Sequence, residues 1–317
     1  MGKFMMPEVK RDIILPRGKL HSIKKYGDIP GRIVQHLLLI GIGFVFVYPI
    51  LLMLAESTKD TYDLINPLVQ WIPTKIYVSN FIKAWTVLGG FKTLLISSGY
   101  MLMVAAAQTL SSALIGYGFA KFNFRFKNVV FLLMIATFII PDQVTFMPRY
   151  LTFKAYGMLR TIMPFFVPAL LGQGIKSAIF ILIFFQFFRM SPKALDEAAQ
   201  IDGAGVFRVF SRINLPSAVP AIIVVFIFSF VWHWNETYLA DLYFETSIRT
   251  FPLALEKFTE YYAKMFPVTD ATNPLMRLNE GVRMAGTLLC IAPLLLLYAL
   301  VEGKLVESID RSGITGE

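Results

Sequence analysis

Two ionisable residues, Asp142 and Lys176, stand inside long apolar runs, and these are the first places to look for chemistry. Asp142 follows Pro141 in the run Asn128 to Met147. Lys176 stands in Gly174-Ile175-Lys176-Ser177-Ala178, within the run Thr161 to Phe188. A charge at membrane depth is costly and faces a cavity or an opposite charge. Alternatively, a helix begins near Lys176 and its amine snorkels to the interface. Asp142 either pairs with Lys176 or caps a helix after the Pro141 break. Farther on, Phe228, Phe230, Trp232, Trp234 and Tyr238 recur at short intervals, with Asn235 and Glu236 among them. Their rings suit a path for flat ligands, an interfacial belt or core packing. Asp142, Lys176, Trp232, Trp234, Asn235 and Glu236 are the candidate pathway residues.

A second pattern lies in residues 189–216. Ser191 can cap a helix whose first residue is Pro192, where the missing N–H costs nothing. Leu195, Ala198, Ala199 and Ile201 give a small apolar stripe beside Glu197, and Gly203 suits the turn that ends the helix. Asp202 either caps locally or takes part in docking. Val206, Phe207, Phe210 and Ile213 give a second short helix, and Pro216 opens the next apolar run. The segment reads as a rigid helix–turn–helix handle tied to a spanning helix at each end.

Other chemistries lack their residues. No Gly-x4-Gly-Lys-Ser/Thr phosphate loop is present. No Ser-His-Asp set or nucleophile elbow is visible, so no catalytic residue is assigned. The one cysteine, Cys290, and three histidines give no metal-ligand spacing, so no metal site is assigned. No cofactor is expected in this chain.

The elements that must position these residues are helices. The 317 residues are 56% hydrophobic and only 16% charged, against roughly a quarter charged in a soluble domain. Runs free of Lys, Arg, Asp and Glu cover 23 residues after Arg32, 28 after Lys92, 23 after Arg212 and 18 after Arg283. About 20 helical residues cross a bilayer. With the two interrupted runs between them, the reading is an all-α polytopic membrane protein of six spans. Six spans put both termini on one side. That side carries 17 Lys/Arg in 85 residues, the other 12 in 104, so the termini read as cytoplasmic. The +9 net charge is then a topology signal, and no nucleic-acid partner is expected. Residues 1–32 form a basic tail. Its Arg17, Lys19, Lys24 and Lys25 either lie on anionic membrane lipid or only set orientation. Residues 33–303 form the spanning domain and 304–317 a C-terminal tail. The outer loop 236–283 carries a short helix at Leu253–Lys264, broken beyond by Pro267, Asp270, Asn273 and Pro274.

The handle resembles the cytoplasmic signature of bacterial ABC-importer permeases, Glu-Ala-Ala-x3-Gly-x9-Ile-x-Leu-Pro. It stands here as Glu197, Ala198, Ala199, Gly203, Ile213, Leu215 and Pro216 with every spacing kept. Pro141-Asp142-Gln143-Val144 to Pro148, Trp232 to Glu236, Val301-Glu302-Gly303 and Gly313 to Gly316 are similar to segments of the carbohydrate-type, MalG-like permeases. The likeness covers roughly residues 30–317. Phe91-Lys92-Thr93 departs from a common Asn-Thr pair, and the outer segment 251–283 is longer.

The resemblance implies half of a transmembrane pathway in the bacterial cytoplasmic (inner) membrane. It implies pairing with a second, MalF-like permease, and two ABC ATPases that dock on the handle and carry the ATP and Mg. It also implies a solute-binding protein outside that delivers a sugar or oligosaccharide. The ATPase-coupling residues would be Glu197, Ala198, Ala199, Asp202, Gly203, Ile213, Leu215 and Pro216. Import of peptide, phosphate or amino acid, an intramembrane enzyme, and a channel working alone are the alternatives.

Overall fold

The computed structural model describes residues 29–268 and 277–314. The basic tail up to Asp28, the loop break at Asp270, Asn273 and Pro274, and Thr315-Gly316 lie outside the described residues. Among those described, every regular element is a helix, with no strand.

By internal contacts the chain forms two units, Met1–Leu52 and Met53–Glu317. The first is most of one helix, α1 (Ile29–Ser57), apolar on all faces with Pro49 inside it. A helix apolar all round suits a non-aqueous surround.

The second unit opens with the short α2 (Thr61–Ile65) and α3 (Ser79–Leu88), then the 32-residue α4 (Gly90–Lys121). Next come α5 (Lys127–Ile139), α6 (Asp142–Ala155), α7 (Met163–Leu170) and α8 (Ser177–Met190). The handle holds α9 (Lys193–Ile201), α10 (Val206–Val209), a π-turn at Phe210–Asn214 and α11 (Leu215–Ser217). There follow α12 (Val219–Asn235), α13 (Thr237–Phe244), α14 (Phe251–Glu256), α15 (Phe258–Met265) and α16 (Glu280–Ile314).

Three helical stretches are long and apolar enough to cross a membrane: Gly31–Ser57, Gly90–Lys121 and Glu280–Gly303. Three bent pairs bring the possible total to six. Two departures from the sequence reading have local causes. The run Thr161–Phe188 is not one helix. Gly172 turns the chain at φ +72°, and α8 starts only at Ser177. The outer Leu253–Lys264 helix is two, α14 and α15, parted at Lys257.

Helix α4 is the centre of the unit and packs on α7, α8 and α12. Its closest approach is to α8. A Cβ on Gly116 would lie 2.6 Å from Phe184 Cβ and 2.9 Å from the Ile181 carbonyl. The two backbones touch there, and no larger residue fits. One buried cluster gathers Ala113, Tyr117, Phe180, Phe184, Phe188 and Phe210 near the handle. A larger one, including Trp234, Tyr243 and Phe251, fills the opposite end.

Candidate functional site

Two sites sit at opposite ends of α8 and α12. The handle leaves the C-terminus of α8 and re-enters at the N-terminus of α12. The other ends of the same helices reach a charged cleft.

At the handle, Pro192 takes an extended ψ of 129°, and α9 begins one residue later at Lys193. Ser191 therefore closes α8 instead of capping α9, since its hydroxyl is set too far back to reach the first-turn amides. Gly203 ends α9 at φ +77°, a left-handed conformation that favours glycine. The Ala204 amide returns to the Ala199 carbonyl at 2.9 Å. Ile213 lies in the π-turn, and Leu215 and Pro216 open α11 before a 78° bend into α12. Leu215 packs against the cluster around Tyr117 and Phe188.

Successive helical residues point about 100° apart, and this separates Asp196 from Glu197. Asp196 faces inward, 9% exposed. Its carboxylate is 2.7 Å from Lys121 Nζ, at the last residue of α4, and accepts a 2.8 Å bond from Asn214 Nδ2. Lys121 also donates to the Ser191 carbonyl at 3.4 Å. Glu197, Ala198, Asp202 and Gly203 are exposed and Ala199 half-buried. Around them Leu195, Ile201, Val206 and Phe207 are bare, Ile201 at 87% and Phe207 at 75%. Glu197 thus stands within an uncovered apolar surface.

At the far end, three helix breaks converge on one small, partly open cleft. The first is the 101° bend between α5 and α6, which carries Asp142. The second is the turn between α7 and α8, where Lys176 takes the left-handed conformation at φ 57°. The third is Glu236, between α12 and α13. Lys176 Nζ pairs with Asp142 Oδ2 at 2.9 Å. A helix starts beside Lys176, and its amine meets an opposite charge within the cleft lining. Asp142 makes no side-chain cap; the residue before α6 is Pro141. Glu236 Oε1 accepts the Leu239 amide at 3.0 Å and caps α13. Arg149 of α6 lines the same cleft.

The aromatic candidates are placed apart from the cleft lining. Trp234 is 1% exposed, stacked on Phe230 at 5.6 Å in the core. Trp232 is half-buried against Phe180 at 5.1 Å. Asn235 Nδ2 turns back to the Val231 carbonyl at 2.9 Å. Only Tyr238 touches the cleft wall, its ring 5.2 Å from that of Phe146.

Two positioning residues escaped the sequence reading. Gln108, fully buried in α4, donates from Nε2 to the Ile175 carbonyl at 2.6 Å and to Ser177 Oγ at 2.9 Å. Its Oε1 accepts Ser229 Oγ–H from α12 at 2.6 Å. It therefore fixes the turn that presents Lys176. The signal was an amide side chain within a long apolar run, a common interhelical bond-former. Asp196 was overshadowed by its neighbour Glu197, and its signal was the inward face of the handle.

A model of the family described as "Binding-protein-dependent transport system inner membrane component" matches residues 112–305. The chain belongs to that family. This permease is 30% identical over 271 residues to a putative ABC transporter permease protein, ORF2, of Caldicellulosiruptor sp., covering 84% of this chain and 91% of the relative. It is 26% identical to the diacetylchitobiose uptake system permease protein NgcG of Streptomyces coelicolor, covering 88% and 87%. Its fold matches a chain in the crystal structure of a bacterial ABC transporter that imports the acidic polysaccharide alginate. That match has a TM-score of 0.66 and 17% identity, and covers 88% of this chain and 97% of the other. The permease is thus an inner-membrane component of a transport system, and it shares the fold of that solved chain.

Proposed function

We propose that this permease forms half of the pathway of an ATP-driven importer for a sugar or oligosaccharide, with a second permease forming the other half. The observation that carries this reading is the handle. Glu197 stands in a bare apolar surface, on a helix whose other face is fastened to α4 through Asp196 and Lys121. Such a carboxylate accepts a charge-assisted bond from a basic residue of the ATPase. The exposed Ala198 and the turn at Gly203 let that surface approach closely. A push on the handle then enters α8 and α12 together. ATP and Mg belong to the ATPase, and a solute-binding protein outside delivers the solute. The termini and handle face the cytoplasm and the cleft lies toward the outer side, the basic N-terminal tail setting that orientation. The sugar assignment draws on the diacetylchitobiose relative.

Affinity purification of the tagged chain from its native membrane, followed by mass spectrometry, tests the reading. Recovery of a second permease and an ATPase is expected. Glu197→Lys is expected to insert normally and lose ATPase coupling. A stable chain recovered alone from that membrane, or unchanged uptake and ATPase stimulation in Glu197→Lys, would sink it.

A further inference from the structure

We propose that the cleft at the three helix breaks is a binding site, on this chain itself, for an uncharged, hydroxyl-rich saccharide in transit. The proposal rests on the importer reading and adds the chemistry of one site to it.

Broken helices at membrane depth are tolerated where the irregular backbone lines a cavity, and half-helix ends there meet a solute. Here three breaks meet in one cleft, and each delivers a charged side chain: Asp142, Lys176 and Glu236. Arg149 makes a fourth. Two acids and two bases leave the cleft without net formal charge. Asp142 and Lys176 already satisfy each other at 2.9 Å. Arg149 makes no hydrogen bond or ion pair among the described residues, and Glu236 accepts only the Leu239 amide. The cleft therefore offers donors and acceptors side by side. A ligand of many hydroxyls uses both, each O–H donating to a carboxylate and each oxygen accepting from a cation. A phosphate or uronate would draw on the cations and meet two carboxylates. Phe146, backed by Tyr238, gives the apolar wall that a sugar ring's C–H face needs.

A second, independent observation comes from the recess that continues inward past Gln173, Gly174 and Ile175. His233 lines it and is 1% exposed. His233 Nδ1 lies 2.7 Å from the Ser229 carbonyl, so Nδ1 carries the proton of a neutral ring. Nε2 is then a bare acceptor, buried and without a partner among the described residues. A buried orphan acceptor beside a recess calls for a donor. A ligand hydroxyl, or a water bridging to one, supplies it.

The test uses the assembled complex in its own membrane with its own binding protein. Uptake of tritiated cellobiose, maltotriose and xylotriose is compared with that of trigalacturonate and dialanine. The wild type is expected to import at least one neutral saccharide. For that saccharide, Glu236→Gln and Asp142→Asn are expected to raise KM about tenfold, the loss of one charge-assisted bond. Lys176→Met is expected to raise it as well, and the yield of assembled complex should stay the same. Glutamine keeps the α13 cap, so a raised KM does not arise from misfolding there. Uptake confined to trigalacturonate or dialanine would overturn the proposal. Unchanged KM in all three variants of a working importer would overturn it and leave the importer reading standing. A complex that lacks an ATPase strikes the importer reading itself.

Discussion

Lys121 Nζ lies 2.7 Å from Asp196 Oδ2, with both side chains only 12% exposed. This pair joins the end of the central helix α4 to the inner face of the handle. Removing one partner of such a pair leaves a stranded charge and costs about 3–5 kcal/mol. Lys121→Met is therefore expected to loosen the handle, so that ATP hydrolysis by the purified complex persists while uptake per ATP falls. Adding Asp196→Leu should recover part of the lost thermal stability. The melting temperatures of the two single variants and the double variant measure this coupling. Additive losses would show that the pair is not a unit.

Gln108 holds three groups from two other segments. Gln108→Leu keeps the volume and strands the Ile175 carbonyl, the Ser177 hydroxyl and Ser229. The cost should be about 1–3 kcal/mol per stranded group. Protease sensitivity of the Gly172–Lys176 turn in membrane vesicles should rise in this variant and stay low in the wild type.

Gly116 and Gly99 lie on the same helix and make a contrast. A Cβ on Gly116 meets backbone and Phe184 Cβ at under 3 Å, whereas Gly99 has nothing within 4 Å. Gly116→Ala is expected to lower the melting temperature of the detergent-solubilised chain, since overpacking costs about 1–3 kcal/mol. Gly99→Ala should leave it unchanged or raise it slightly. Equal effects at the two positions would contradict the backbone contact between α4 and α8.

Gly203 and Gly205, both with open space around them, differ in backbone conformation within the handle. Gly203 stands at φ +77° with open space around it, and Gly205 at φ −68°. Gly203→Val is expected to destabilise the turn by about 1–2 kcal/mol from left-handed strain alone and to reduce uptake. Gly205→Ala should have little effect. Uptake assays on whole cells compare them directly.

The handle was legible because its information is local. Glu197, Ala198, Ala199 and Gly203 lie within seven consecutive residues, and a helix followed by a glycine turn needs no distant partner. The Pro141 break was legible for the same reason. The Asp142–Lys176 pairing stood in the sequence only as one of two alternatives, because 34 positions separate the two, and the approach of Glu236 to them was not legible, since tertiary packing alone brings it there. The run Thr161–Phe188 was read as one interrupted span because its hydropathy is continuous. Its Gly172-Gln173-Gly174 sequence held the correction. A Cβ on Gly174 would sit 3.0 Å from both Ala169 Cα and Gln108 Nε2, so the turn folds back on the helix before it. The aromatic run left a path, an interfacial belt and core packing open in sequence, and helical periodicity turns Phe230 and Trp234 to the core.

Helix α8 has 14 residues, about 21 Å of rise, with the handle leaving one end and Lys176 at the other. Asp142 is mounted on α6, outside that helix. A tilt of α8 by about 10° around its handle end sweeps its far end sideways by about 4 Å. The Lys176–Asp142 separation is only 2.9 Å. The ion pair therefore ties the far end of α8 to the start of α6, and a tilt of that size exceeds the length of the bond that ties them.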